Sequence, residues 1–328
     1  MSSKKSISVI LPNYNGRHLM EKFIPSTLQA LHQSDIDYEF IIIDDCSKDD
    51  STAFIEQNHP NFILLKNDVN LGFSITCNRG ISIASKDLIF LLNSDVQLTP
   101  TYFENQFRYF SDVSTFGVMG RIMNFDGKRI EDTARLPYYK GGKFKANKFY
   151  YIEENDNVLT TYLSGANALI SRKKLQQLNG FDEIFSPFYF EDFDLGLRAW
   201  KMGWKCYYDH HSYCYHQVSS STGKVNKGNS VKIIYNRNSF ILQSLHLAGT
   251  KRTIWFLQLF SLTLLSHLFK GEFWILKSIQ KFMASKNNIM HSKSKTLNLQ
   301  KKLNAHYKLS HIINTINNSI ADKNVKWL

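Results

Sequence analysis

Cysteine is scarce: four in 328 residues, at positions 46, 77, 206 and 214, with no CxxC pair. That excludes a disulfide scaffold and points to reduced, mostly structural thiols. The one dense cluster, Cys206, His210, His211, Cys214 and His216, matches none of the common zinc spacings. Long apolar runs are missing too. The first, Ile7 to Leu11, stops at Pro12 and is too short for a signal peptide, so a cytoplasmic start is expected. Ile254 to Phe269 is interrupted by Gln258, Ser261, Thr263, Ser266 and His267, and falls short of the ~20 residues that span a bilayer. Acid is nearly absent from the last third. Residues 226–328 hold 16 Lys/Arg and 2 Asp/Glu, against 24 and 26 in residues 1–225. The net charge of +12 is therefore a −2 segment followed by a +14 segment. This excludes a protein that binds nucleic acid along its full length. No internal repeat is present. With 43% hydrophobic and 21% charged residues, disorder and collagen are excluded as well.

What is present is an alternation of short apolar runs and helical spacings. Residues 7–11, 40–43, 62–65 and 88–92 read as buried strands. Residues 19–33, a stretch from Ser51, and 74–84 read as the helices between them. That β-α-β-α-β-α-β order predicts an α/β fold with a mainly parallel sheet covered on both faces. Residues 126–157, rich in Lys and Tyr, read as a mobile loop region. Residues 163–170 read as a strand, 171–178 as a short helix, 190–203 as a helix with acids in its first turn, and 204–216 as strand. The Ser/Gly/Lys-rich stretch 217–229 reads as a boundary. It separates a near-neutral domain, 1–225, from a basic, apolar helical region, 226–328. In that region 233–242, 254–269 and 273–283 have helical spacing, and 285–328 reads as a loose helix and tail.

In a parallel sheet the ligand sits outside the carboxyl ends of the strands. Polar residues gather at those ends: Asn13 and Asn15, Asp44 and Asp45, Asn70, and Asn93-Ser94-Asp95. A carboxylate at Asp44 or Asp45 can accept hydrogen bonds from a ribose or a base. Asp95 at a strand end suits a hard divalent ion shared with substrate phosphates, or else a helix cap. Glu191, Asp192 and Asp194 crowd one helix start, where one can serve as a general base. His216, just past a strand, can be a second metal ligand or simply structural.

The ordered set Val9-Ile-Leu-Pro-Asn-Tyr-Asn15, Ile42-Ile-Asp-Asp-Cys-Ser47, Asn70-Leu-Gly-Phe73, Leu91-Leu-Asn-Ser-Asp-Val96, Leu163-Ser-Gly-Ala166, Gly180-Phe-Asp-Glu183, Phe190-Glu-Asp-Phe-Asp-Leu-Gly-Leu-Arg198 and Tyr215-His216 resembles family 2 glycosyltransferases of the GT-A fold. It is closest to the branch with bacterial rhamnosyltransferases of cell-surface polysaccharide synthesis. Roughly residues 5–220 carry the resemblance.

The resemblance implies inverting transfer of a sugar from a nucleoside diphosphate sugar to a hydroxyl of a saccharide acceptor, which the branch suggests is lipid-linked. Pro12, Asn13, Tyr14 and Asn15 would hold the nucleotide. Asp45, or Asp44 beside it, would take the base or ribose. Asn70 and Gly72 would line the nucleotide pocket. Asn93 and Ser94 precede Asp95, the last acid of the family's DXD metal motif. Asn93 replaces the motif's first acid. Asp95 and His216 would hold a divalent cation, Mg2+ or Mn2+. Asp192 would be the catalytic base, with Glu191 as its rival, and residues 138–151 would close over the donor. Three alternatives compete. A sugar nucleotidyltransferase would show a Gly-rich basic phosphate loop, which Asn13-Tyr-Asn-Gly16 is not. A nucleic-acid binder would interleave base and aromatic across one face, so no nucleic acid is expected as partner. An inactive glycan-binding relative would not need Asp95, Asp192 and His216. Lysines beside aromatics in 254–283 suit an anionic membrane surface or a helical hairpin packed on the first domain. The expectation is a peripheral protein on the inner face of the cell membrane.

Overall fold

A computed structural model describes residues 6–154, 157–217 and 228–328. Met1 to Lys5, Ser219 to Thr222 and most of the 217–229 boundary lie outside the described residues. Four parallel strands build the centre: β1 (Ser6–Asn13), β2 (Asp37–Asp44), β3 (Ile63–Lys66) and β4 (Leu88–Leu92), in the order β3-β2-β1-β4. Helices cover both faces, so Val9-Ile10-Leu11 and Phe40 to Ile43 are buried without a polar break. The crossovers are α1 (Arg17–Gln33), α2 (Ser51–Asn58) and α3 (Phe73–Ile83). Helix α1 buries Leu19, Met20, Phe23, Ile24, Thr27, Ala30 and Leu31, one face of a 3.6-residue period. Gly80 lets α3 lie close on the sheet, where a Cβ would sit 2.7 Å from Ile43 Cδ1.

Beyond β4 the sheet is mixed. β11 (Asn167–Ser171) inserts antiparallel between β4 and β6 (Thr115–Asn124). The strand therefore begins later than Leu163, and Ser164 to Ala166 turn into it. β12 (Lys205–His216) runs parallel to β6, and β5 (Val96–Leu98) pairs antiparallel with the end of β12. β7 (Ile130–Asp132) and β10 (Val158–Leu159) complete the sheet. Helices α4 (Arg172–Gln177) and α5 (Glu191–Lys201) follow β11.

The structure corrects the reading of 126–157 as a loop. β8 (Ala134–Lys140) and β9 (Lys143–Tyr151) form an antiparallel hairpin turning at Gly141-Gly142. Its inner face buries Ala134, Leu136, Phe144, Ala146 and Tyr150. Lysine and asparagine fill the outer face of β9, so an alternating strand pattern looks like a polar run. Residues 138–151 do not line the cleft described below.

The chain continues through α6 (Ser230–His246), α7 (Gly249–Gln258), a π-turn (Leu259–Leu264), α8 (Leu265–Phe269), α9 (Trp274–Ala284), α10 (Lys286–Lys302) and α11 (Leu309–Asn318). A last strand, β13 (Lys326–Trp327), pairs with β9. Gln243 on α6 brackets the hairpin: its Oε1 accepts from Phe144 N at 2.9 Å and its Nε2 donates to Phe144 O at 2.8 Å. Ile241, Trp255, Ile275 and Ile312 join the core that holds Phe185 and Leu195. Among the described residues, no helix is long and apolar enough to cross a membrane.

Candidate active site

A cleft of about 490 Å3 opens at the carboxyl ends of β1, β2, β4 and β12. Pro12, Asn13, Tyr14, Asp45, Asn70, Gly72, Asn93, Ser94, Asp95, Glu191, Asp192 and His216 all line it. Two of the residues named from sequence stand behind its wall instead. Asp44 accepts from Asn13 Nδ2 and from Ser47 N, both at 2.9 Å. Asn15 Oδ1 accepts from Lys48 N at 2.6 Å, which ties the first loop to the second. Asp45 is itself committed: Oδ1 accepts from Asn67 Nδ2 at 2.7 Å and Leu71 N at 2.8 Å, and Oδ2 from Gly72 N at 2.9 Å. Its carboxylate shapes the 70–72 turn. Gly72 has φ +83°, and a Cβ there would lie 2.7 Å from the Pro187 backbone. Only glycine fits this approach between the two walls.

The β5–β12 pairing sets His216 opposite Val96, so Asp95 falls beside it. His216 Nε2 lies 3.5 Å from Asp95 Oδ2. Its Nδ1 lies 2.8 Å from Glu131 Oε2 on β7. Asp95, with Glu131 behind it, pushes the imidazole up to about 9 despite its partial burial. Asp95 Oδ1 is buried and has no hydrogen-bond partner. An orphaned carboxylate oxygen beside an imidazole, oriented through its other nitrogen by Glu131, fits a divalent cation. Two protein ligands leave the remaining positions to phosphate oxygens or water. Among the described residues, no three Asp, Glu, His or Cys side chains form a cage of their own. The rest of the histidine–cysteine cluster disperses. His210 stacks on Tyr151 at 4.5 Å, and Cys206 and Cys214 are buried.

The opposite wall is the first turn of α5. Tyr189 and Phe190 precede it with φ of 76° and 74°, a region that non-glycine residues rarely adopt. Helix α6 holds them there. Asn238 Nδ2 lies 2.6, 2.9 and 3.0 Å from the carbonyl oxygens of Phe185, Phe188 and Tyr189, and Arg237 donates to the carbonyls of Ile184 and Ser186. Burial pushes the Glu191 carboxyl up, and Asp192 beside it adds to the shift. Burial also pushes Asp192 up, against the nearby Arg135 guanidinium. Glu191 Oε2 has no partner, whereas Asp192 accepts from Phe193 N at 2.7 Å. Asp194 points away, pairing with Arg198 Nε at 2.6 Å and His246 Nε2 at 2.8 Å.

Sequence reasoning missed Glu131, Asp132 and Arg135, all in the misread segment. Arg135 is paired with Asp132 and lies over the Tyr162 ring at 4.1 Å. Their signal is non-local, because Glu131 meets His216 and Arg135 meets Tyr162 only in the folded chain. Ser164, Gly165 and Pro187 to Tyr189 also line the cleft. Ser164 and Gly165 lie in one of the ordered motifs, whereas Pro187 to Tyr189 fall between two of them and carried no such clue.

Residues 8–178 match the sequence profile of glycosyl transferase family 2, and 146–279 that of glycosyl transferase family group 2. The N-acetylglucosaminyl-diphospho-decaprenol L-rhamnosyltransferase of Mycobacterium tuberculosis is 25% identical over 244 residues, 66% of this chain and 78% of its own. The poly(ribitol-phosphate) beta-N-acetylglucosaminyltransferase TarP of Staphylococcus aureus is 30% identical over 148 residues, 44% of each chain. Among solved structures, GalNAc-T7 with UDP, GalNAc and Mn2+ superposes with TM-score 0.59 at 13% identity, over 98% of this chain and 57% of that one. TarS 1–349 of S. aureus in complex with UDP-GlcNAc gives 0.54 at 13%, over 91% and 90%. These structures share the fold, GT-A, and the sequence match goes further: the chain belongs to glycosyl transferase family 2.

Proposed function

We propose that this glycosyltransferase inverts the anomeric centre in a single displacement, with Asp192 as the base. The observation that supports this most is the buried Asp192 carboxyl, pushed up, on the same cleft as the Asp95–His216 pair. A carboxyl with a raised proton affinity matches the task of taking a hydroxyl proton as the oxygen attacks. The acceptor oxygen forms a bond to the anomeric carbon, its proton passes to Asp192, and the bond to the donor's diphosphate breaks. The nucleoside diphosphate leaves with the electron pair. Asp45 shapes the turn that presents Asn70 and Gly72 to the nucleotide, and Pro12 to Tyr14 form the facing edge. Asp95 and His216 would hold the divalent cation, Mg2+ or Mn2+. When bound, such an ion supplies positive charge to the leaving diphosphate. Glu131 keeps His216 turned toward that site.

The M. tuberculosis relative's name carries a diphospho-decaprenol acceptor. With it, we read the acceptor as a saccharide on a lipid diphosphate, for a cell-surface polysaccharide, met at the cytoplasmic membrane face. Residues 1–225 would be the catalytic unit and 226–328 the membrane-facing one. Phe260, Phe269, Leu262 and Phe273 are exposed around α8 and the preceding π-turn, with Lys270, Lys277 and Lys281 close in sequence. Apolar side chains beside lysines favour an anionic lipid interface. Flotation with anionic vesicles should drop several-fold in Phe269→Ser/Phe273→Ser, and unchanged flotation rejects the membrane reading.

The base assignment is tested with Asp192→Asn. Transfer should fall about 10²–10⁴-fold with the fold intact. Near-wild-type turnover rejects it, and a matching loss confined to Glu191→Gln transfers the role. Chelation should abolish transfer, and Mg2+ or Mn2+ should restore it. NMR of the product's anomeric proton decides inversion.

A further inference from the structure

A second cavity, of about 290 Å3, lies away from the active cleft between α5, the α6–α7 connection and α10. Lys201 closes α5, Arg252 stands in the first turn of α7, and Lys293 lies on α10. None of the three makes an ion pair among the described residues. The acids present are already engaged. Asp194 is held by Arg198 and His246. Asp182 accepts from Ile184 N at 3.2 Å and from the Ser292 hydroxyl. Cations therefore outnumber acids around this space.

Three further features point to a ligand. His246 lines the cavity with its side chain 3% exposed, and its Nδ1 has no partner. Helix α7 begins at the cavity with Gly249, and no side chain caps its first turn. Its free N–H groups and dipole favour an anion there. Burial also lowers Lys201 and Lys293 to about 8 each, with Lys293 adding to the shift of Lys201 and Arg252 to that of Lys293. Asp194 offsets part of this for Lys201, but it is shared with Arg198 and His246, and the remaining like-charge repulsion costs the folded chain free energy that a bound anion would return.

We propose that this cavity binds a phosphate-class anion, held by Lys201, Arg252, Lys293, the α7 N-terminus and His246. A phosphate hydroxyl can donate to Nδ1 while Nε2–H stays on Asp194. The phosphate comes either free in solution or as a lipid headgroup. The site is independent of the transfer chemistry and of Asp192.

The test uses the full chain in EDTA at constant ionic strength, which silences metal-assisted binding in the active cleft. It compares wild type with Arg252→Gln/Lys293→Gln, both outside the core. Lys173→Gln/Lys323→Gln removes the same charge elsewhere. If the source is free phosphate, inorganic phosphate raises the wild-type unfolding midpoint saturably, by about 3 °C. The rise is lost in Arg252→Gln/Lys293→Gln and kept in the control. If the source is a headgroup, inorganic phosphate gives no shift. Flotation with phosphatidylglycerol vesicles then falls several-fold in Arg252→Gln/Lys293→Gln and not in the control. Equal behaviour of the two variants in both measurements overturns the site.

Discussion

Two walls of one cleft each carry a pair of adjacent acids, and the pairs are built for opposite ends. Asp44 and Asp45 close β2 and between them accept five N–H donors, from Asn13, Ser47, Asn67, Leu71 and Gly72. Glu191 and Asp192 open α5, the first buried and the second partly so; one oxygen of Glu191 has no partner and both carboxyls are pushed up. Near-identical dipeptides thus differ in their surroundings: three backbone N–H groups and two asparagine side chains converge on the first pair, whereas burial dominates at the second and raises both carboxyls. The saturated Asp45 carboxylate brackets the 70–72 turn. A carboxyl that burial pushes up suits the base role proposed for Asp192.

The comparison breaks first on stability. Asp45→Ala removes the acceptor of three N–H donors, two of them buried, and should cost roughly 3 kcal/mol in denaturant unfolding. Asp192→Asn removes a buried charge and should leave stability unchanged or raise it by about 1 kcal/mol. Equal losses in both variants would erase the contrast. Asp194 sharpens it as a third acid on the same helix. Burial opposes its charge, but Arg198 and His246 hold its carboxyl down at about 2. A depressed folded value makes this stability full above the unfolded value, near pH 4, and lost as pH falls toward about 2. Asp194→Asn should therefore cost about 2 kcal/mol at pH 7, with the gap to wild type closing across that window. A gap that stays constant to pH 2 contradicts the pairing. The smallest effect falls on the proposed base. Arg135 opposes the rise of Asp192, so Arg135→Gln should move the acid limb of transfer upward by about one pH unit. Arg135→Lys should leave the limb near its wild-type place.

What the sequence carried was local. Phe40 to Ile43 and Leu88 to Leu92 are unbroken apolar runs, and a parallel sheet covered on both faces needs such runs. Asp45, Asn70 and Asp95 stand immediately after strands, so their convergence followed from the fold class. Asp95 and His216 were named separately, but their meeting depends on β5 pairing with β12 across more than a hundred residues of chain. Asp44 looked equivalent to Asp45, and only the hydrogen bonds separate them. Glu131 and Arg135 were invisible for a different reason. Glu131 sits on a strand of only three residues, and the strand of Arg135 runs on into tyrosines and a lysine, which resembles a loop until the helix carrying Gln243 is docked on the hairpin. The anion cavity is harder still, since Lys201, Arg252 and Lys293 share no sequence neighbourhood.

The central claim is that the α5 wall does the chemistry and the β2 wall supports it. Transfer rate and unfolding midpoint should be measured together on Asp192→Asn and Asp45→Asn. The account predicts a crossed result. Asp192→Asn keeps its midpoint and its donor affinity but loses about 10²–10⁴-fold in kcat. Asp45→Asn loses midpoint and donor affinity, with kcat at saturating donor largely kept. If Asp192→Asn turns over near the wild-type rate while Asp45→Asn is dead at saturating donor, the two walls have been assigned the wrong way round.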